Sequence, residues 1–355
     1  MSLLDKLVKV SISISSAVAD ADSFDHILLV GPAPATAPAT APSMVGEYAS
    51  IAEIETAGFK TTDRIHKAAS VAFANGATKI YVAVQQILTG TTKESIETTL
   101  GRALETLGWY GFALCEEGTT NYTKAATWAD SNNKLFGFTV AGSTNPIGTA
   151  HPYAFGFASK YIQEGDTDYP NNEFTHIALM CKVMQSVAGS ETWAYKSLVG
   201  IEPENFTTTE IEALKTAGLN YYVKCAGKSI TLDGKTVSGE WIDVIRFRDW
   251  LLNDMQKRIY NALITNKKVP YTSAGITLIE NQMLASLREG QANGGIAESE
   301  YDENGNVIPG YTTSVPNTAS VSDTDRAART LKNCKFTARL AGAIHLVEVS
   351  GTLVQ

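Results

Sequence analysis

The chain has 355 residues, 44% of them hydrophobic and 19% charged, the composition of a globular protein with material for two or three domains. Its formal net charge of -8 favours solubility and argues against a nucleic-acid-binding surface, which needs a basic stripe. Cys115, Cys181, Cys225 and Cys334 show no CxxC or Cys/His ligand spacing, which argues against zinc and for reduced, mostly buried thiols.

The first residues, MSLLDKLVKVSISISS, lack the apolar stretch of a signal peptide. No apolar run in the chain approaches the roughly 18 residues of a membrane span. Within this segment Val8, Val10, Ile12 and Ile14 alternate with Lys9, Ser11, Ser13 and Ser15, the period of a half-buried strand. A small-residue connector, SSAVADADS, follows. HILLVG reads as a buried strand, and the proline-alanine run from Pro32 to Pro42 as an extended solvated loop. Helices and strands then alternate. Helices are expected at 63–75, 93–107, 122–131 and 174–187, and strands at 79–84, 111–115 and 134–140. Repeated β-α-β units predict a mostly parallel sheet covered by helices, placed here at residues 23–190.

After residue 190 the texture changes. Thr207 and Glu210 form a capping box before a helix that Gly218 stops. ITLDGKTV reads as a hairpin turning at Asp233-Gly234. The strongest helix signal is EWIDVIRFRDWLLNDMQKRIYNALI. There Trp241, Val244, Ile245, Leu251, Leu252, Met255, Ile259 and Leu263 form an apolar stripe, with Arg246, Asp249, Asp254 and Lys257 expected largely off it. VPYTSAGI reads as a small-residue turn, and a further helix is expected at 323–332 with Ser322 as its cap. In the final AIHLVEVSGTLVQ, an extended chain puts Leu346, Glu348, Ser350, Thr352 and Val354 on one face and Val347, Val349, Gly351 and Leu353 on the other.

A search for chemistry finds little. CAGKS and DGKT end like phosphate loops, but Tyr222 and Ser229 stand where the first glycine belongs. HILLVG continues as Pro-Ala-Pro, not GxGxxG. DENGN begins like a calcium loop, but position twelve is Thr313. His26, His66, His151, His176 and His345 are scattered, with no HExxH or GxSxG. No cofactor, metal or catalytic residue is therefore expected. An α/β enzyme, a hydrolase or nucleotide-binding protein with a site assembled from distant residues, is the alternative reading.

Several C-terminal segments in order, GIEPENFTTTEIEALKTAGLNYYV, SGEWIDVIRFRDWLLNDMQ, VPYTSAGI and RLAGAIHLVEVSGTL, resemble the contractile tail sheath proteins of myophages. The resemblance covers about residues 190–355. It implies a structural protein of mixed α/β and α+β class, with a sheath core built from N- and C-terminal regions (191–342 in the C-terminal half), an inserted variable α/β domain (23–190) and extended β-arms at 1–22 and 343–355. It further implies subunits stacked as hexameric rings around a tail tube, with baseplate and tail terminator proteins as partners. Such a subunit assembles in the host cytoplasm and resides in the virion tail, where contraction drives the tube through the host envelope. Neither nucleic acid nor membrane is an expected partner. The arms would add strands to neighbouring subunits through Val8, Val10, Ile12, Ile14, Leu346, Val347, Val349, Leu353 and Val354.

Overall fold

Stretches such as ILLVG and IYVAV bury side chains on both faces, which fits only a sheet covered on both sides. The structure, a computed structural model, describes residues 23–34, 43–89, 92–106, 108–116, 119, 121–163 and 168–350. Its first part contains β1 (Ile27–Pro32), β2 (Val45–Tyr48), α1 (Ile51–Thr56), α2 (Arg64–Ala74), β3 (Ile80–Gln85), the short hairpin β4 (Ile87–Thr89) and β5 (Thr92–Lys93), α3 (Ile96–Thr106) and β6 (Gly111–Leu114). There follow α4 (Tyr122–Asn132), β7 (Leu135–Ala141), β8 (Ala154–Ser159), α5 (Lys160–Gln163), α6 (Thr175–Met184), α7 (Thr208–Ala217), β9 (Leu219–Cys225) and β10 (Lys228–Leu232). The last part holds α8 (Ile242–Thr265), α9 (Ser273–Ala292), β11 (Glu300–Tyr301), β12 (Val307–Ile308), β13 (Tyr311–Ser314), α10 (Asp323–Ala327) and β14 (Lys335–Ala338).

Among the described residues the main sheet has eight strands, in the order β10-β9-β8-β7-β6-β1-β3-β2. The strands from β9 to β3 are parallel, and the edge strands β10 and β2 are antiparallel to their neighbours. Leu29, Val82 and Ala113 face one side, where α2 and α6 pack; Leu28, Tyr81, Phe112 and Phe136 face the other, under α3, α4 and α7. The sheet runs past residue 190, because β9 and β10 complete it.

Local chemistry explains most element ends. Thr207 and Glu210 close a reciprocal capping box, and Gly218 takes φ +71 as the left-handed stop of α7. A Cβ at Gly218 would lie 2.6 Å from the Val237 carbonyl oxygen, so only glycine fits.

Three expectations need correction. The hairpin turns at Ala226-Gly227, not Asp233-Gly234, with Cys225 opposite Lys228. Both pairs have positive φ, but the Gly234 N–H is taken by Asn220 Oδ1 at 2.9 Å, and Gly234 lies against Trp193 and Ala194. VPYTSAGI is not a turn; it leads into the twenty-residue α9, with Thr272 as N-cap. The helix after Ser322 ends at Ala327, five residues short, because Arg329 adopts φ +53 and breaks the helical path.

One core group makes the fold pH-sensitive. His176 on α6 is buried, with Nδ1 2.7 Å from Thr139 Oγ1, and burial pushes its pKa down from 6.5 to about 3. Between those values the unfolded chain binds a proton that the folded chain refuses. The contribution of His176 is complete above pH 6.5 and is lost at up to about 1.4 kcal/mol per pH unit as the pH falls towards 3. Urea unfolding from pH 7 to pH 4.5 is expected to give a steeper loss of stability for the parent than for His176→Gln; equal slopes would contradict this.

Candidate assembly interface

α8 begins in the α/β body and ends outside it. Ile242 packs into the cluster on one face of the sheet and Ile245 into the cluster on the other. The sequence pattern placed Arg246 and Asp249 off the apolar stripe, yet they are 1% and 5% exposed. No residue in the first turns of α8 is exposed, so those positions face protein as well. Arg246 Nη1 donates to Glu191 Oε1 at 2.5 Å, and Nε and Nη2 donate to the Phe24 carbonyl at 3.2 and 3.1 Å. Nη2 also reaches the carbonyls of Met184 at 2.8 Å and Ser186 at 2.7 Å. Asp249 accepts from the hydroxyls of Tyr110 at 2.9 Å and Tyr153 at 3.0 Å and from Arg248 Nε at 3.1 Å; burial pushes its carboxyl pKa up against the pull of Arg248.

Farther along α8, Phe247, Leu251 and Met255 meet Met283 and Leu287 of α9 and Ile296 in a separate small core. Phe247 lies so close to Gly295 that a Cβ there would be 2.3 Å from its ring. Arg258 pairs with Asp254 at 2.7 Å and with Glu289 across the helix pair.

On this core lies the two-stranded antiparallel sheet β13–β14, with Tyr311 opposite Ala338 and Thr313 opposite Phe336. Tyr311, Phe336 and Ala338 turn inward onto the core, and Thr313 Oγ1 donates to Glu280 of α9 at 2.9 Å. Thr312, Ser314, Lys335 and Thr337 face solvent. Among the described residues no third strand joins this sheet, so each strand presents an open edge. After β14 the chain runs back along residues 295–297. Arg339 carbonyl accepts from Ala297 N–H at 2.8 Å, and Ala341 N–H donates to Gly295 carbonyl at 3.1 Å.

The residues assigned to the arms divide as follows. Val8, Val10, Ile12, Ile14, Leu353 and Val354 lie outside the described residues. Leu346, Val347 and Val349 are 77%, 71% and 89% exposed, in a segment that joins neither helix nor strand. The sequence reading missed β13, β14 and α9. Strands of four residues carry almost no periodic signal, but α9 had one: Ile276, Ile279, Met283 and Leu287 follow helical spacing behind Thr272.

Several groups a catalytic reading would use are buried or held by structural partners. Burial pushes the Cys115 thiol up to about 12 and the Cys181 thiol higher still. His66 pairs with Glu55 at 3.1 Å and His151 with Asp130 at 2.6 Å. Asp302 accepts from the backbone N–H groups of Asn304 and Asn306 in the turn between β11 and β12.

Residues 242–353, starting at the first residue of α8, match the family described as E217 tail sheath protein gp31-like, C-terminal domain. Among solved structures, the contracted helical sheath of the anti-feeding prophage is similar, with TM-score 0.69 and 12% identity over 97% of this chain and 98% of that one. The contracted sheath of the extracellular contractile injection system PVC gives TM-score 0.67 and 13% identity over 97% and 96% of the two chains. A sheath tail protein from Listeria innocua gives 0.51 and 9% over 84% and 90%. Among curated protein sequences, none is detectably similar to this chain. The described residues therefore have the fold of contractile sheath proteins, and the C-terminal third of the sequence matches a tail sheath domain.

The Arg246 cluster is expected to hold the two regions together. Arg246→Met leaves the Glu191 carboxylate and several carbonyls buried without their donor, at a cost of about 3–5 kcal/mol. Urea unfolding followed by circular dichroism reads this directly; a loss below about 1 kcal/mol, the scale of an exposed ion pair, would contradict the assignment.

Proposed function

We propose that this chain is the structural subunit of a contractile sheath, of a phage tail or a related injection particle, and that it polymerises by strand exchange on β13–β14. The observation that carries the reading is a short sheet, packed on one side against α8 and α9, with both edges open. An isolated two-stranded sheet is marginal in water, and further strands stabilise it. Added strands pair with the free backbone groups of an edge and fill it with alternate side chains. The donors are the terminal arms of neighbouring subunits: Val8, Val10, Ile12 and Ile14 from one end, and Leu346, Val347, Val349, Leu353 and Val354 from the other. The exposure of Leu346, Val347 and Val349 supports this, since three large apolar side chains in water favour a partner.

The subunits stack as hexameric rings around a tail tube, between a baseplate and a terminator. Contraction shortens the array while the strand ladders keep neighbours joined, and it drives the tube through the host envelope. The array forms in the host cytoplasm and remains in the virion tail. The α/β domain expected at 23–190, with β9 and β10 completing its sheet, forms an outward layer, and the arms and C-terminal helices form the connected inner layer.

Negative-stain microscopy of the purified protein is expected to show long striated tubes. Val10→Pro fixes φ and deletes a ladder donor, so tubes are expected to disappear while thermal unfolding of the free subunit stays unchanged. Discrete oligomers from the parent, or tubes from the proline variant, would overturn the reading.

A further inference from the structure

Between its last contact with the helical unit and its exposed apolar stretch, the C-terminal segment makes one more attachment. Ala341 is tied to Gly295 beside α9, whereas His345 lies on the α/β body. His345 Nε2 is 2.8 Å from Thr192 Oγ1, and the Tyr195 hydroxyl donates to the His345 carbonyl. The imidazole stands edge-on to the Trp241 ring at 4.6 Å between centroids and to the Tyr195 ring at 5.5 Å. The receiving residues are themselves fixed. Tyr195 N–H donates to the Thr231 carbonyl of β10 at 2.7 Å, and the Lys235 ammonium lies 4.4 Å from the Trp241 ring centroid. Tyr195 also adopts φ +61, a left-handed conformation that a tyrosine holds only when its surroundings impose it.

On either side of His345 the chain is exposed. Ile344 is 82% exposed, Gly342 takes φ +65, and beyond the histidine Leu346, Val347 and Val349 project into solvent. His345 is thus a single anchored residue in an otherwise exposed run, and the span from Gly342 to His345 bridges the helical unit and the α/β body.

We propose that His345, seated between Thr192, Tyr195 and Trp241, is a clasp that pins the root of the C-terminal arm to its own subunit, and that opening it lengthens the arm by the four residues 342–345. This rests on the reading of 343–355 as an arm. Four extended residues add about 13–14 Å of reach. Clasped, the arm leaves from the α/β body; unclasped, it leaves from Ala341 beside α9. An array whose subunits shift against one another then draws on this slack before any strand ladder has to break.

The free subunit suffices for the test. With Cys334→Ala in the background, the exposed Cys225 carries one spin label, and a second is placed at Ile344→Cys or Val349→Cys. Electron paramagnetic resonance is expected to find the label at 344 restricted and the label at 349 mobile. His345→Ala is expected to bring 344 to the mobility of 349. It is also expected to broaden the distance distribution from 225 to 349, extending its far limit by about 13 Å. Tyr195→Phe and Thr192→Val remove single contacts and are expected to produce part of the same change, which keeps the test readable if His345→Ala folds poorly. A label at 344 that is already mobile in the parent, or distributions unchanged in all three variants, would overturn the clasp. Failure of the protein to form tubes would instead count against the sheath reading and leave this result standing.

Discussion

A guanidinium withdrawn from water holds the architecture at its junction. Arg246 is satisfied only if Glu191, the carbonyls of Met184 at the end of α6 and of Ser186 beyond it, and the carbonyl of Phe24 ahead of β1 all converge on the first turns of α8. Each lost partner leaves buried charge or a buried acceptor uncompensated, so the arrangement is close to all-or-none. The start of the described chain, the exit of α6 from the sheet and the start of the C-terminal unit are thereby fixed at one point. α8 spans about 36 Å at 1.5 Å per residue, so a lock at its base positions everything at its far end.

What α8 and α9 carry is an incomplete element. β13–β14 has an apolar underside, a polar outer face and two open edges, a combination that natural sheets normally blunt or cover. The residues on the outer face, Thr312, Ser314, Lys335 and Thr337, keep the sheet soluble without closing its edges. The same chain supplies exposed apolar side chains past His345. Under the proposed function, donor and acceptor belong to one molecule, and identical copies satisfy one another in a repeating array.

The α/β body was legible because its strands are short continuous apolar runs set between helices of period 3.6, and most of the expected elements from 63 to 187 lie within a few residues of their observed bounds. The hairpin was misplaced because Asp-Gly is the stronger local turn signal. The burial of Tyr222 and Thr231 fixes the register, and that places Ala226-Gly227 at the tip. Arg246 looked like a solvated charge because helical periodicity assigns one buried face, whereas a helix shared by two units buries more than one. β13 and β14 were invisible for a different reason: each is four residues long and they lie more than twenty residues apart, so only tertiary contact defines them. The clasp at His345 likewise depends on Thr192, Tyr195 and Trp241, which sequence leaves far from it.

Deuterium exchange of the segments 311–314 and 335–338, compared between free subunits and tubes verified by microscopy, tests most directly whether the open sheet is completed by neighbours. Strand addition to both edges predicts that these segments, fast in the free subunit, slow by at least about tenfold on assembly, since each new ladder bond contributes about 0.5–1.5 kcal/mol. Unchanged exchange at both segments in intact tubes would contradict the account.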